Sequence, residues 1–113
     1  MSASSRTTAQ LLSEALEHLE AAETYASRDL TDQVVIDAIA LRLSAGIEAL
    51  GHLSDDERVG LLGDTWPAMR GMRNRIAHGY AGVAERYLVE VIRSDLPGLV
   101  AAVRYRRSEL MES

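Results

Sequence analysis

The sequence predicts an all-α fold, an antiparallel bundle of four to five helices, on three observations. Sixteen Ala, fifteen Leu and ten Glu stand against eight Val, five Ile and no Phe. Ala, Leu and Glu keep most of their rotamer freedom in a helix, so the composition favours helix over sheet. Apolar residues recur at three- and four-residue spacing along most of the chain, and helix start signals fall between those stretches. At 113 residues the chain is one domain's worth and can enclose one modest core.

Residues 1–6 are polar and read as a disordered leader, with residues 7–113 as a single helical domain. Thr7 or Thr8 caps a first helix running to about Arg28, its stripe being Leu12, Ala15, Leu16, Leu19, Ala22, Glu23 and Ala26. Glu14, Glu17 and Glu20 fall off that stripe, on a solvated face. Thr31-Asp32 starts a second helix reaching about His52, whose repeat of Ile36, Ile39, Leu43, Ile47 and Leu50 is the most regular and predicts a central position. Gly46 inside it costs about 1 kcal/mol relative to Ala, which points to a close helix–helix approach.

Ser54-Asp-Asp-Glu57 caps a short helical turn ending near Gly60 or Gly63. Asp64-Thr65-Trp66-Pro67 starts a third long helix, since proline fits the first turn, where its missing N–H is not needed. That helix carries Met69, Met72 and Ile76 as packing residues and frays at His78-Gly79-Tyr80, with Gly79 and Gly82 breaking it. A fourth helix covers about Val83–Arg93, with Tyr87, Leu88 and Val91 inward, and Asp95-Leu-Pro97 starts a last one containing Leu99, Val100 and Val103.

Composition excludes several chemistries. Without cysteine there are no disulfides, thiol nucleophiles or thiolate metal sites. All twelve basic residues are Arg, so Schiff-base chemistry and a P-loop lysine are excluded as well. No apolar run approaches the length of a membrane span, and Met1–Arg6 lacks the apolar stretch of a secretory signal, so a cytoplasmic protein with no membrane contact is expected. The net charge of −5 hides an asymmetry: residues 1–60 carry four Arg against eleven acids, residues 61–113 eight Arg against six. An anionic ligand is to be sought in the second half.

One segment there concentrates chemistry: Trp66-Pro-Ala-Met-Arg70-Gly-Met-Arg73-Asn74-Arg75-Ile-Ala-His78-Gly-Tyr80. Arg is a fixed cation whose planar fork binds phosphate oxygens, and His both takes and gives a proton near neutrality. An Arg73–His78 pair with no acidic partner nearby fits metal-independent cleavage of a phosphodiester, His78 moving the proton and Arg73 holding the growing charge. Arg70 and Arg75 read as solvated or RNA-rim charges rather than catalytic groups. On a regular helix Arg73 and His78 lie about 140° apart, whereas Asn74 and His78 share a face. A site using both therefore needs a distorted helix end, a long Arg reach or a second protomer.

The spacing Arg73-x-x-x-x-His78-x-Tyr80 resembles the R-x-x-x-x-H-x-Y motif of HEPN domains, specifically the HepT-like toxins of HEPN/MNT toxin–antitoxin pairs. Trp66, Gly71-Met-Arg-Asn and Asp95-Leu-Pro-Gly-Leu99 agree with it, and the similarity spans about Val35 to Val103. The resemblance implies a homodimeric, metal-independent endoribonuclease without a cofactor. It also implies Arg73 and His78 as the catalytic pair at a dimer cleft, Asn74 as a supporting residue, and Tyr80 as the acceptor of AMP from an MNT-type nucleotidyltransferase antitoxin. RNA is then the substrate and the nucleotidyltransferase the partner. The alternative is a non-catalytic helical dimer that binds a nucleotidyltransferase or a nucleotide.

Other polar groups read more plainly. Glu14–His18 and Glu48–His52 are i,i+4 pairs on a helix face rather than metal ligands. Arg104, Arg106 and Arg107 read as charges complementing the dipole of the last helix.

Overall fold

The computed structural model describes residues 6–78 and 83–112, the side chains of 83–85 excepted. Six α-helices and one 3₁₀ turn make up these residues, with no strand among them. The helices are α1 (Thr8–Tyr25), α2 (Gln33–Gly51), α3 (Asp55–Leu62), α4 (Trp66–Ala77), α5 (Val83–Ser94) and α6 (Leu96–Glu112); the 3₁₀ turn, Gly63–Thr65, joins α3 to α4. Five of the six run for twelve residues or more, and α3 is the short segment expected after Ser54. Residues 1–5, the Gly79 and Gly82 breaks and Tyr80 lie outside the described residues.

Each described N-terminus up to α3 is fixed by its first polar side chain. The Thr7 hydroxyl accepts from the Gln10 amide while the Gln10 side chain accepts from the Thr7 amide, a reciprocal capping box. Asp32 accepts from the Val34 amide and Ser54 from the Glu57 amide. Helix α4 starts at Trp66, as expected, but without a side-chain cap. Thr65 makes no cap bond, because its hydroxyl donates to the Leu62 carbonyl at 2.6 Å; Pro67, in the first turn, does without a donor.

Helix α1 ends at Tyr25, three residues before the expected Arg28. The amides of Ser27 and Arg28 turn back to the carbonyls of Thr24 and Tyr25, and the Ser27 hydroxyl takes the Thr24 carbonyl as well, so the chain tightens out of the α-helix. The next turn is closed by Asp29, whose carboxylate accepts from both the amide and the hydroxyl of Thr31.

The core is built on α2. Its whole predicted repeat, Ile36, Ile39, Leu43, Ile47 and Leu50, is buried, and α2 packs on both α1 and α4. Burial of each such side chain contributes about 1.5–3 kcal/mol. Leu12, Leu16 and Leu19 face it from α1, Leu88, Val91 and Ile92 from α5, and Leu96, Val100 and Val103 from α6. Contacts run in opposite order along α1 and α2, Arg42 meeting His18 and Gly46 meeting Ala15, so the two form an antiparallel hairpin. At Gly46 the expected close approach is present: a Cβ there would lie 2.9 Å from Cγ and Cδ2 of Leu19. Tyr87 departs from its inward placement, standing 37% exposed under the Arg75 guanidinium, 5.4 Å from its ring centre.

Candidate RNA-cleaving site

Helix α4 positions the candidate residues by its period. Trp66, Arg70, Arg73 and Asn74 fall on one face and look across a cleft of about 330 Å³ to Ile47, Glu48, Gly51 and His52 of α2, with Arg58 of α3 at its edge. The adjoining face carries Met72, which is buried, and Met69 and Ile76, which pack partly buried against the core. The packing of that apolar face fixes which way the polar face points.

Arg73 is the centre of the cleft. Its Nη2 lies 2.7 Å from Glu48 Oε2, and its Nη1 donates to Asn74 Oδ1 at 3.4 Å. Its Nε is buried without a hydrogen-bond partner. Glu48 also reaches His52, with 3.8 Å between Oε1 and Nε2. The expectation of an arginine with no acid nearby is therefore corrected: Glu48, on a different helix, sits directly on it. Sequence pattern had assigned Glu48 only to its i,i+4 partner, and nothing local announces a partner supplied by α4.

Trp66 closes one end of the cleft. The Arg58 guanidinium lies 5.3 Å from its ring centre, held there by Asp55 at 2.5 Å and the Leu53 carbonyl at 3.0 Å. Gly51 lets the indole approach, since a Cβ there would meet Trp66 Cη2 at 3.3 Å. Gly51, His52, Arg58 and Glu48 were not among the expected site residues; helical spacing from Ile47 could have pointed to the three near the end of α2, and nothing local pointed to Arg58 on α3.

His78 is not among the residues lining this cleft. It caps α4 with its backbone, its amide donating to the Asn74 carbonyl at 3.0 Å, and its side chain is exposed. Helix α4 stays regular to Ala77, so Arg73 and His78 leave the helix on different sides, as the five-residue spacing requires. Arg70 lies at the cleft; Arg75 lies away from it, over Tyr87. Tyr80 lies outside the described residues.

Beyond α4, an open groove of about 670 Å³ runs beside Met69, Met72, Tyr87, Leu96 and Leu99. The arginines of α6 are placed differently from expectation. Arg104 pairs with Glu20 of α1, and Arg106 grips Glu57 of α3 with two bonds, Nε to Oε2 at 3.0 Å and Nη2 to Oε1 at 2.5 Å. They clamp helices together rather than complement a dipole. Arg106 holds the Glu57 carboxyl below the usual carboxylate range, and Glu57 in turn raises the guanidinium. Among the described residues no three His, Asp or Glu side chains gather as metal ligands, and His18 instead takes Arg42 at 3.0 Å. No described helix is long and apolar enough to cross a membrane.

Comparison with known proteins matches the chain to a family profile. The family profile described as Ribonuclease HepT-like matches residues 12–106, which includes α2, the cleft and the whole of α4. Neither curated proteins nor solved structures gave a match.

Proposed function

The chain belongs to the HepT-like ribonuclease family, and from that premise we propose that it is a metal-independent endoribonuclease toxin acting as a homodimer. The observation that carries the reading is the Arg73-x-x-x-x-His78-x-Tyr80 spacing at the end of α4, with Arg73 turned into a polar cleft and His78 exposed at the helix end.

In the proposed reaction the ribose 2′-oxygen attacks the adjacent phosphorus and the 5′-oxygen leaves. His78 takes the hydroxyl proton or returns one to the leaving oxygen, and Arg73 binds the phosphoryl oxygens as charge builds on them. Asn74 supports Arg73 through its side-chain oxygen. Because the two catalytic side chains diverge around the helix, the reading places them together by joining Arg73 of one protomer to a second copy's histidine across a two-fold axis. The open groove beside Met69, Met72 and Leu99 offers apolar surface that a second copy would bury. Tyr80 is the proposed acceptor of AMP from a nucleotidyltransferase antitoxin; an added anionic nucleotide beside Arg73 and His78 would occupy the site and exclude RNA.

The test is RNA cleavage by purified protein with Arg73→Ala and His78→Ala beside it, and mass spectrometry after incubation with ATP and a nucleotidyltransferase partner. Undiminished cleavage by both variants ends the catalytic assignment, and absence of any AMP adduct on Tyr80 ends the modification. A protein that binds nucleotide through its arginines but cleaves nothing would instead be the helical interaction module.

A further inference from the structure

We infer that the α2–α4 cleft is a nucleotide subsite: it takes one unstacked nucleotide of single-stranded RNA, the base against the Trp66–Arg58 pair and the phosphate against Arg70 and Arg73. The inference rests on the ribonuclease reading and adds to it where the strand next to the scissile bond is held.

Four observations carry it. The cleft, at about 330 Å³, is of the size that holds a small ligand, and its lining mixes one aromatic wall with several convergent polar groups. Its aromatic wall is fixed before any ligand arrives. Arg58 is tied to Asp55 and to the Leu53 carbonyl and lies over the indole, while Gly51 admits the far edge of the ring. Indole and guanidinium planes are the surfaces on which proteins stack splayed RNA bases, and little ordering cost remains when those planes are already held.

The charges have the right sign and one is uncommitted. Arg58, Arg70 and Arg73 line the cleft against a single carboxylate, Glu48, and Arg70 is exposed with no acid partner among the described residues. Arg73 is incompletely satisfied where it lies: Glu48 and Asn74 occupy its two terminal nitrogens, and its Nε donor has no acceptor. A phosphate that displaces Glu48 would take Arg73 Nη2, with Glu48 released toward His52. The Asn74 side-chain NH2 then remains as a donor for a base edge or ribose hydroxyl.

Trp66 is the sole tryptophan of the chain, so its fluorescence reports this cleft directly. The protein is titrated with AMP, UMP, adenosine and inorganic phosphate, with RNA cleavage followed in parallel. The proposal expects saturable quenching by both nucleotides, weaker quenching by adenosine, and nucleotide affinity well above that of phosphate. Arg70→Gln keeps the fluorophore and is expected to weaken nucleotide binding and raise KM for RNA, with kcat unchanged. Trp66→Ala, which removes the stacking surface, is expected to raise KM roughly ten-fold at unchanged kcat, with its melting curve as the check on folding. Absence of saturable quenching, equal affinity for phosphate and nucleotide, or an unchanged KM in both variants overturns the subsite. The two readings fail separately: nucleotide binding without any RNA cleavage sinks the ribonuclease and leaves the pocket, whereas cleavage without quenching does the reverse.

Discussion

Glu48 Oε2 on α2 lies 2.7 Å from Arg73 Nη2 on α4, so the arginine proposed to bind phosphate is already paired in the absence of RNA. The pair is partly exposed, Arg73 at 34% and Glu48 at 51%, and in such a setting an ion pair contributes only about 0.2–1 kcal/mol. An anion can therefore displace it. Glu48→Gln, which keeps shape and removes charge, is expected to tighten RNA binding by about two- to five-fold at low salt, the gain shrinking as salt is added. Binding isotherms at two salt concentrations check this; weaker binding in the variant would mean that Glu48 orients Arg73 rather than competing for it.

His78 is exposed and holds α4 only through its backbone, so activity and stability separate there. His78→Ala is expected to cut RNA cleavage by about 10²–10⁴-fold while leaving unfolding within about 0.5 kcal/mol of wild type. If the site is shared across a two-fold axis, mixing Arg73→Ala with His78→Ala protein after co-refolding restores about a quarter of the activity, since half the dimers carry one intact site. No recovery in mixed dimers of demonstrated composition would return both residues to one protomer.

Gly46 and Gly71 predict opposite signs for the same substitution. Alanine ordinarily stabilises a helix interior by about 0.5–1 kcal/mol over glycine. At Gly71 nothing lies within 4 Å of the added Cβ, so Gly71→Ala is expected to raise the melting temperature. At Gly46 the Cβ meets Leu19 at its branch point, and Leu19 is fully buried, so the overpacking cost of about 1–3 kcal/mol outweighs the propensity gain. Denaturant melts of the two variants decide this, and a Gly46→Ala protein as stable as wild type would contradict the close approach.

Glu57 sets an acid limit. Arg106 holds its folded-state pKa below the unfolded value, so its contribution is complete above the unfolded pKa and is lost as pH falls through the folded one. Glu57→Gln is expected to cost up to about 1 kcal/mol near neutrality, the difference from wild type closing on acidification. A difference that stays constant across the carboxylate range would show that the Arg106 clamp contributes nothing.

The elements were legible in the sequence because their signals are local. Apolar period marked α2, Gly46 marked a close approach, and Thr7, Asp32 and Ser54 marked starts. Local signals failed where a side chain had two partners to choose between. The Ser27 hydroxyl and amide both take the Thr24 carbonyl, and that turn ends α1 before Arg28. The candidate site was half legible. The motif located Arg73, Asn74 and His78 on α4, but the acid opposite Arg73 and the bracket that holds Trp66 come from α2 and α3. Such partners are chosen by packing, which no window along the sequence contains.

The packing of α1 on α6 joins the first described helix to the last, through Leu12, Leu16 and Leu19 on one side and Val100 and Val103 on the other. In a chain emerging from the ribosome α1 is therefore made well before α6, the helix that covers its outer side. The core closes only once α6 is free. Helix α4 rests on α2, and α2 on α1, so a disturbance at the α1–α6 seam reaches the arginine-bearing helix only by way of the core it shares with α2.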